Sequence, residues 1–292
     1  MNFEQFAQSH GLIIRDLVAG RIVRCATESK PLHKNGAFFF DGDWGWIQDH
    51  ALHTEIVLWK SDKIVDTAAL AARMAESRKT YAKERKQAQA AAAQKAQSII
   101  KQSKFEQHAY LDKKGWPDMT GLVYYPDENT NLLAIPMRVN GAVVGCQLIN
   151  KDGDKKFLFG QRCNGAEYLI DGGGVDVWCE GYATGLSIRA VMAAIKARCS
   201  IHVCFSAGNM QAMATAAGRG FVVADNDAST TGEKSAQATG LPYFMPPDAG
   251  SDFNDYHKGA GLFVASQALR RFMQQWSSAP SQGAATKYPA RG

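Results

Sequence analysis

Apolar positions change their period along this chain, and the changes divide it into segments. From residue 175 onward, short apolar runs alternate with stretches of helical spacing. Val175 to Cys179 is short and rich in valine, as buried parallel strands are. Leu186, Ile188, Val191, Met192 and Ile195 then recur with the spacing of a helix over 183–197. The alternation continues with a strand at 201–206, a helix at 210–217 and a strand at 221–224. A helix near 233–239 and a strand near 243–245 complete it. Such a series predicts right-handed crossovers and a parallel sheet with helices on both faces. Residues 262–276 predict a final amphipathic helix.

Upstream the pattern differs. Phe3, Phe6 and Ala7 make a short amphipathic start, and residues 13–25 alternate between apolar and charged. Phe38, Phe39 and Phe40, then Trp44 and Trp46, flank an Asp-Gly turn and predict a β-hairpin, with a third strand at 55–59. Residues 66–104 are rich in Ala, Lys, Gln and Arg and contain neither Gly nor Pro, so they predict one long helix. Large apolar side chains are sparse after Met74, so this helix is expected to be exposed and to have no buried face. Residues 105–170 predict another α/β piece, with a strand at 132–137 and a further strand at 155–159. Asn140-Gly141 marks a hairpin between 135–139 and 143–149. Residues 277–292 are small and polar and predict a disordered tail. The expected organisation is a β-rich module at 1–65, a basic helical linker at 66–104, an α+β subdomain at 105–170, an α/β domain at 171–276 and the tail.

Composition narrows the class. The chain has 292 residues, 46% of them hydrophobic, enough for two or three small domains. No apolar run is long enough to span a membrane, and the first residues lack the plan of a secretory signal. The expected location is therefore the cytoplasm of the (bacterial) host cell. Six cysteines are scattered without a CxxC pair, which argues against disulfides and against a zinc ribbon. A metal site from Cys25, His33, His50 and His53 fits no usual zinc spacing. Net charge is +5, but nine Lys or Arg lie between Arg73 and Lys104 against only Glu76 and Glu84. That local excess is larger than the charge of the whole chain, so the remainder is slightly acidic. Arg78, Lys79, Lys83, Arg85 and Lys86 are the densest part of this basic stretch and are candidates for an arm that holds nucleic-acid phosphates. In the 1–65 module, aromatics beside Lys30, His33, Lys34 and Lys60 could stack unpaired bases, or could simply fill a small core.

The acids have a pattern of their own. Glu180 follows the strand at 175–179, Asp225 and Asp227 follow the strand at 221–224, and Asp252 and Asp255 follow the strand near 243–245. Open parallel sheets bind ligands beyond the carboxyl ends of their strands, so these five are expected to converge. Gathered carboxylates need a cation or take up protons. Hard oxygen donors without His or Cys suit Mg²⁺ or Mn²⁺, ions that support phosphoryl transfer. Helix caps and solvated loop acids remain the plainer explanation of each acid taken singly. Gly232-Glu233-Lys234-Ser235 lacks the first glycine of a P-loop, though Lys234 stands where a helix start could reach a triphosphate.

Glu180-Gly181-Tyr182-Ala183-Thr184-Gly185, Asp225-x-Asp227 and Asp252-x-x-Asp255, in this order, resemble the Toprim domain, and more closely the DnaG-type primases of plasmids and bacteriophages. The segment YLDKKG…LLAIPMRVNGAVVGCQLINKDGDKKFLFGQ…GAEYLI resembles the subdomain that precedes Toprim in those primases. The resemblance implies an α/β fold with a Rossmann-like parallel sheet. It also implies short RNA primers made on single-stranded DNA from ribonucleoside triphosphates. Glu180, Asp225 and Asp227 would be catalytic, with Asp252 and Asp255 joining them on Mg²⁺ or Mn²⁺. Arg138, Lys155, Lys156 and Arg162 would face template or nucleotide phosphates, and a separate helicase or single-strand-binding protein is an expected partner. The rivals are a Toprim nuclease or topoisomerase-like enzyme, and a DNA-binding replication or anti-restriction factor without catalysis.

Overall fold

The structure is a computed structural model that describes residues 1–49, 56–62, 67–228, 230–278 and 287–289. They form two compact units, 1–84 and 85–292. The division falls inside the predicted helical segment rather than at either end of it.

In the first unit, α1 (Phe3–Ser9) opens with a reciprocal cap. The Asn2 side chain accepts from the Gln5 N–H, and the Gln5 side chain accepts from the Asn2 N–H. Strands β1 (Leu12–Ile13), β2 (Ile22–Thr27), β3 (Gly36–Phe40), β4 (Trp44–Asp49) and β5 (Val57–Lys60) form one antiparallel sheet in chain order. The predicted hairpin is β3–β4, with Phe39 opposite Trp46 and Phe38 opposite Ile47. Alternation then sorts side chains by face. Phe38, Ile47, Trp59 and Cys25 pack on Phe3 and Ala7 of α1. Phe39 and Trp44 form a second, smaller cluster with Met74 of α2 (Thr67–Gln102). Gly45 has no side chain for a reason: a Cβ there would sit 2.5 Å from the Phe3 ring. Arg73 of α2 bridges Asp41 and Asp43 of the hairpin turn, at 3.0 Å each. Residues 50–55, and with them His50, His53 and the start of the predicted third strand, lie outside the described residues.

In the second unit the long helix departs from expectation. Residues 92, 96 and 99 lie on one helical face, and Ala92, Ala96 and Ile99 are buried against Ala134, Cys146 and Leu158. Alanine registers in a sequence as a helix former, so a packing face made mostly of alanine was not visible there. The face rests on an antiparallel sheet in the order β10-β9-β8-β7-β6. Its members are β6 (Lys104–Gln107), β7 (Thr120–Asp127), β8 (Thr130–Val139), β9 (Ala142–Ile149) and β10 (Lys155–Phe157), with α3 (Ala109–Lys113) between β6 and β7. Asn140 and Gly141 both have positive φ, 49° and 80°, the requirement of the tight hairpin turn between β8 and β9.

The third sheet has the order β11-β13-β12-β14-β15-β16. It comprises β11 (Tyr168–Ile170), β12 (Val175–Cys179), β13 (Cys199–Val203), β14 (Phe221–Val223), β15 (Tyr243–Met245) and β16 (Lys287–Pro289). Only β11 runs antiparallel. The crossovers are α4 (Tyr182–Ala194), α5 (Ala207–Ala217) and α6 (Thr231–Ala238), and α7 (Phe253–Ser278) follows β15. Leu186 and Val191 of α4 and Leu269 and Phe272 of α7 cover one face, where Val177, Ile201, Val223 and Phe244 point. Met210, Ala214 and Ala236 cover the other, on Trp178, Val222 and Tyr243. α7 carries the helix expected at 262–276 and, before it, a part from Phe253 that the periodicity did not suggest. Gly261 breaks it with φ 83° and ψ 160°. The tail is also corrected in part: residues 287–289 pair in parallel with β15, because an open strand edge can recruit even polar backbone. Residues 279–286 and 290–292 lie outside the described residues. No helix among the described residues is long and apolar enough to cross a membrane.

Candidate functional site

Parallel register carries the acids to one end of the third sheet. Cys179 of β12 lies opposite Val223 of β14, so Glu180 and Asp225 leave neighbouring strands within two residues of the paired ends. The Asn226 N–H donates to the Ser251 carbonyl at 3.0 Å, and the Gly250 N–H donates back to Asn226 at 2.6 Å. The Asn226 amide also donates to the Pro246 carbonyl at 3.0 Å. Asn226 therefore stitches the loop before Asp252 to the strand end that carries Asp225. A motif scan leaves this residue blank, since the signal lies in the acids on either side.

Electrostatics report the grouping. Asp225 is pushed up to about 7, by burial first and then by the negative charges of Glu180 and Asp252, with a smaller contribution from Asp227. Lys155 opposes the rise. The Asp225 Oδ1 is buried without a hydrogen-bond partner among the described residues. Glu180 is also raised by burial and by Asp227, against Lys155 and a hydrogen bond from the Ala207 N–H at the start of α5. A buried carboxylate group with one nearby lysine is short of positive charge.

The remaining acids are partly engaged. The Asp227 carboxylate accepts from the N–H groups of Thr231 at 3.4 Å and Gly232 at 3.2 Å, and so caps α6. Asp252 and Asp255 form a reciprocal cap at the start of α7. The Asp255 N–H donates to the Asp252 carboxylate at 2.8 Å, and the Asp252 N–H to Asp255 at 3.5 Å. Lys114, just past α3, reaches both, 3.7 Å from Asp252 and 3.4 Å from Asp255. Lys114 lies more than a hundred residues upstream, within the YLDKKG segment, where the sequence does not single it out from its neighbours. Among the described residues no three His, Cys, Asp or Glu side chains stand close enough together to hold one ion. The expected convergence of all five is therefore incomplete, because helix caps and Lys114 compete for the same oxygens. The donor chemistry still suits a hard divalent cation: every group is a carboxylate, and the buried Oδ1 of Asp225 lacks a partner.

The basic candidates divide. Lys155 alone acts on Glu180 and Asp225. Lys156 is exposed on the same edge strand. Arg138 donates to the Gly141 carbonyl of its own hairpin at 2.8 Å, and Arg162 to the Asn164 carbonyl at 3.0 Å. Both guanidinium groups thus close local turns. Lys234 is exposed on the first turn of α6. Arg78, Lys79, Lys83, Arg85 and Lys86 are all exposed on α2.

Residues 177–262 match the Toprim domain family. The match covers the strands that bear Glu180, Asp225 and Asp227 and the start of α7. No curated protein matches the chain. Toprim domains occur in primases, nucleases and topoisomerases and bind Mg²⁺ through acidic residues, so this segment is similar to a domain found in nucleic-acid enzymes.

Proposed function

We propose that the chain is a primase that makes short RNA primers on single-stranded DNA. The observation that carries this is the buried, cation-poor carboxylate group at the β12 and β14 strand ends within the Toprim match. In this reading Asp225 would hold Mg²⁺ or Mn²⁺, with Asp227 and Asp252 joining it once their carboxylates turn from the helix caps and Lys114 toward the ion, and Asp255 holding Asp252 in place. The ion, when bound, neutralises the charge that develops on a nucleotide's phosphates. Glu180, its carboxyl raised by burial, accepts the proton from a primer 3′-hydroxyl as that oxygen attacks the α-phosphate. The electron pair of the broken bond leaves with pyrophosphate. Lys155 sits beside these acids and positions nucleotide or template phosphate, while the exposed cations of α2 grip the template.

The test is to incubate the protein with single-stranded DNA, labelled ribonucleotides and Mg²⁺ or Mn²⁺. Short RNA that disappears in Asp225→Ala and Glu180→Ala is the expected result. Shortened DNA without RNA would favour a nuclease, and undiminished products in both variants would defeat the assignment.

A further inference from the structure

The first unit holds clefts that the acidic site does not use. One, of about 630 Å³, has Phe39, Trp44, Trp46, Leu58 and Tyr81 in its walls. Leu58 is 50% exposed and Tyr81 46%, so large apolar surfaces face water here. The cleft is of the size that takes small aromatic ligands. Its acids are partly spoken for: Arg73 bridges Asp41, and Lys79 lies 3.8 Å from Glu76, leaving Glu84. The second cleft, about 410 Å³, is lined by Arg15, Arg21, Arg24 and Lys34, with Asp16 as its acid. Arg21 lines both clefts. Phe39 lines the first and Phe38 the second, so the aromatic and cationic hollows open on opposite faces of the sheet and meet at Arg21.

We propose that the two clefts together bind single-stranded nucleic acid. A base lies on the aromatic wall of Trp46 and Tyr81, and the adjoining phosphates run past Arg21 into the groove of Arg15, Arg24 and Lys34. Every base has a π face, so aromatic walls accept a strand without regard to sequence, while the arginines pair with phosphate oxygens. A purely apolar partner would gain nothing from four cations beside the hollow. A free nucleotide offers the same base and phosphate chemistry, and the experiment separates the two. The proposal concerns binding alone and does not rest on the catalytic assignment.

The test uses the full chain in EDTA without nucleoside triphosphates, so catalysis is silent and its failure elsewhere has no bearing. A labelled oligothymidylate is titrated and followed by fluorescence anisotropy. Tyr81→Ala and Arg21→Ala, both at exposed positions, should each weaken binding about tenfold. Arg21→Ala should also lower the salt dependence by about one ion. An oligonucleotide carrying 5-iodouracil, illuminated on the protein, should cross-link to Trp46 or Tyr81. Wild-type affinity in both variants, or cross-links confined to 85–292, would overturn the proposal. So would displacement of the oligonucleotide by thymidine monophosphate at equal nucleotide concentration, which would assign the clefts to a free nucleotide. Circular dichroism of each variant confirms the fold, and the cross-link is read on the unmutated protein.

Discussion

Replacing Asp225 by Asn should make the metal-free protein more stable while abolishing its activity. Asp225 rises from an ordinary value near 3.8 to about 7 through burial and through Glu180 and Asp252. At about 1.4 kcal/mol per pH unit, keeping it ionised costs the fold up to about 4 kcal/mol above pH 7. Relaxation and counter-ions will reduce that, and Asn must still find partners at Oδ1, so a gain of about 2 kcal/mol is expected. For a chain of this size that is a rise of about 5 °C in Tm. The sign follows from linkage. A carboxyl raised on folding contributes stability below its unfolded value, and that contribution is lost as pH rises through the folded value. The wild type in EDTA should therefore gain stability as pH falls from about 8 toward 4, and Asp225→Asn should flatten that slope. Thermal unfolding followed by tryptophan fluorescence at several pH values reads both effects. An Asn variant equal to or weaker than wild type at pH 8 in EDTA would refute the reasoning.

Three further outcomes are expected. In Gly232→Ala the new Cβ would lie 2.4 Å from the Asp225 carbonyl oxygen; a loss of about 1–3 kcal/mol in urea unfolding should outweigh the helix preference of Ala. Lys114→Met frees Asp252 and Asp255 from their cation, so Mn²⁺ should bind about tenfold tighter, near 1.4 kcal/mol, by electron paramagnetic resonance, while Lys114→Arg stays close to wild type. His202 is partly buried, which disfavours its charge, but Glu167 at 2.6 Å and Asp176 at 3.3 Å outweigh burial and hold it above its usual 6.5. Its stabilising contribution is full below about pH 6.5 and is lost as pH rises through the folded value; His202→Gln should remove that component from the pH dependence of Tm.

Much of the parallel sheet was legible because its strands are short, apolar and separated by helical spacing. Val175 to Cys179 and Tyr243 to Met245 needed no partner information to be recognised. The turn at Asn140-Gly141 was equally plain, since both residues tolerate positive φ. What remained hidden was tertiary. The caps made by Asp227, Asp252 and Asp255 depend on where helices begin, and helix ends are the least determined part of a periodic pattern. Lys114 joins Asp252 and Asp255 only after the sheet of 104–157 and the third sheet are packed. Asn226 works through its backbone and amide, so nothing about its side-chain type set it apart. The resemblance assigns Arg138 and Arg162 to phosphates, and it carries no sign that each also closes a local turn.

The alanine face of α2 has a consequence for how the chain tolerates change. A Cβ on Gly160 would lie 2.9 Å from that of Ala88, and Ala96 is wholly enclosed. Low complexity usually suggests a stretch where mutations accumulate harmlessly. On this face the reverse applies: a single added methyl group at Ala96, or at Gly160 where it meets Ala88, has nowhere to go, while the exposed side of the helix carries no such limit on size. Its simplest residues set a ceiling on size, and genetic drift there is confined to one side of the cylinder.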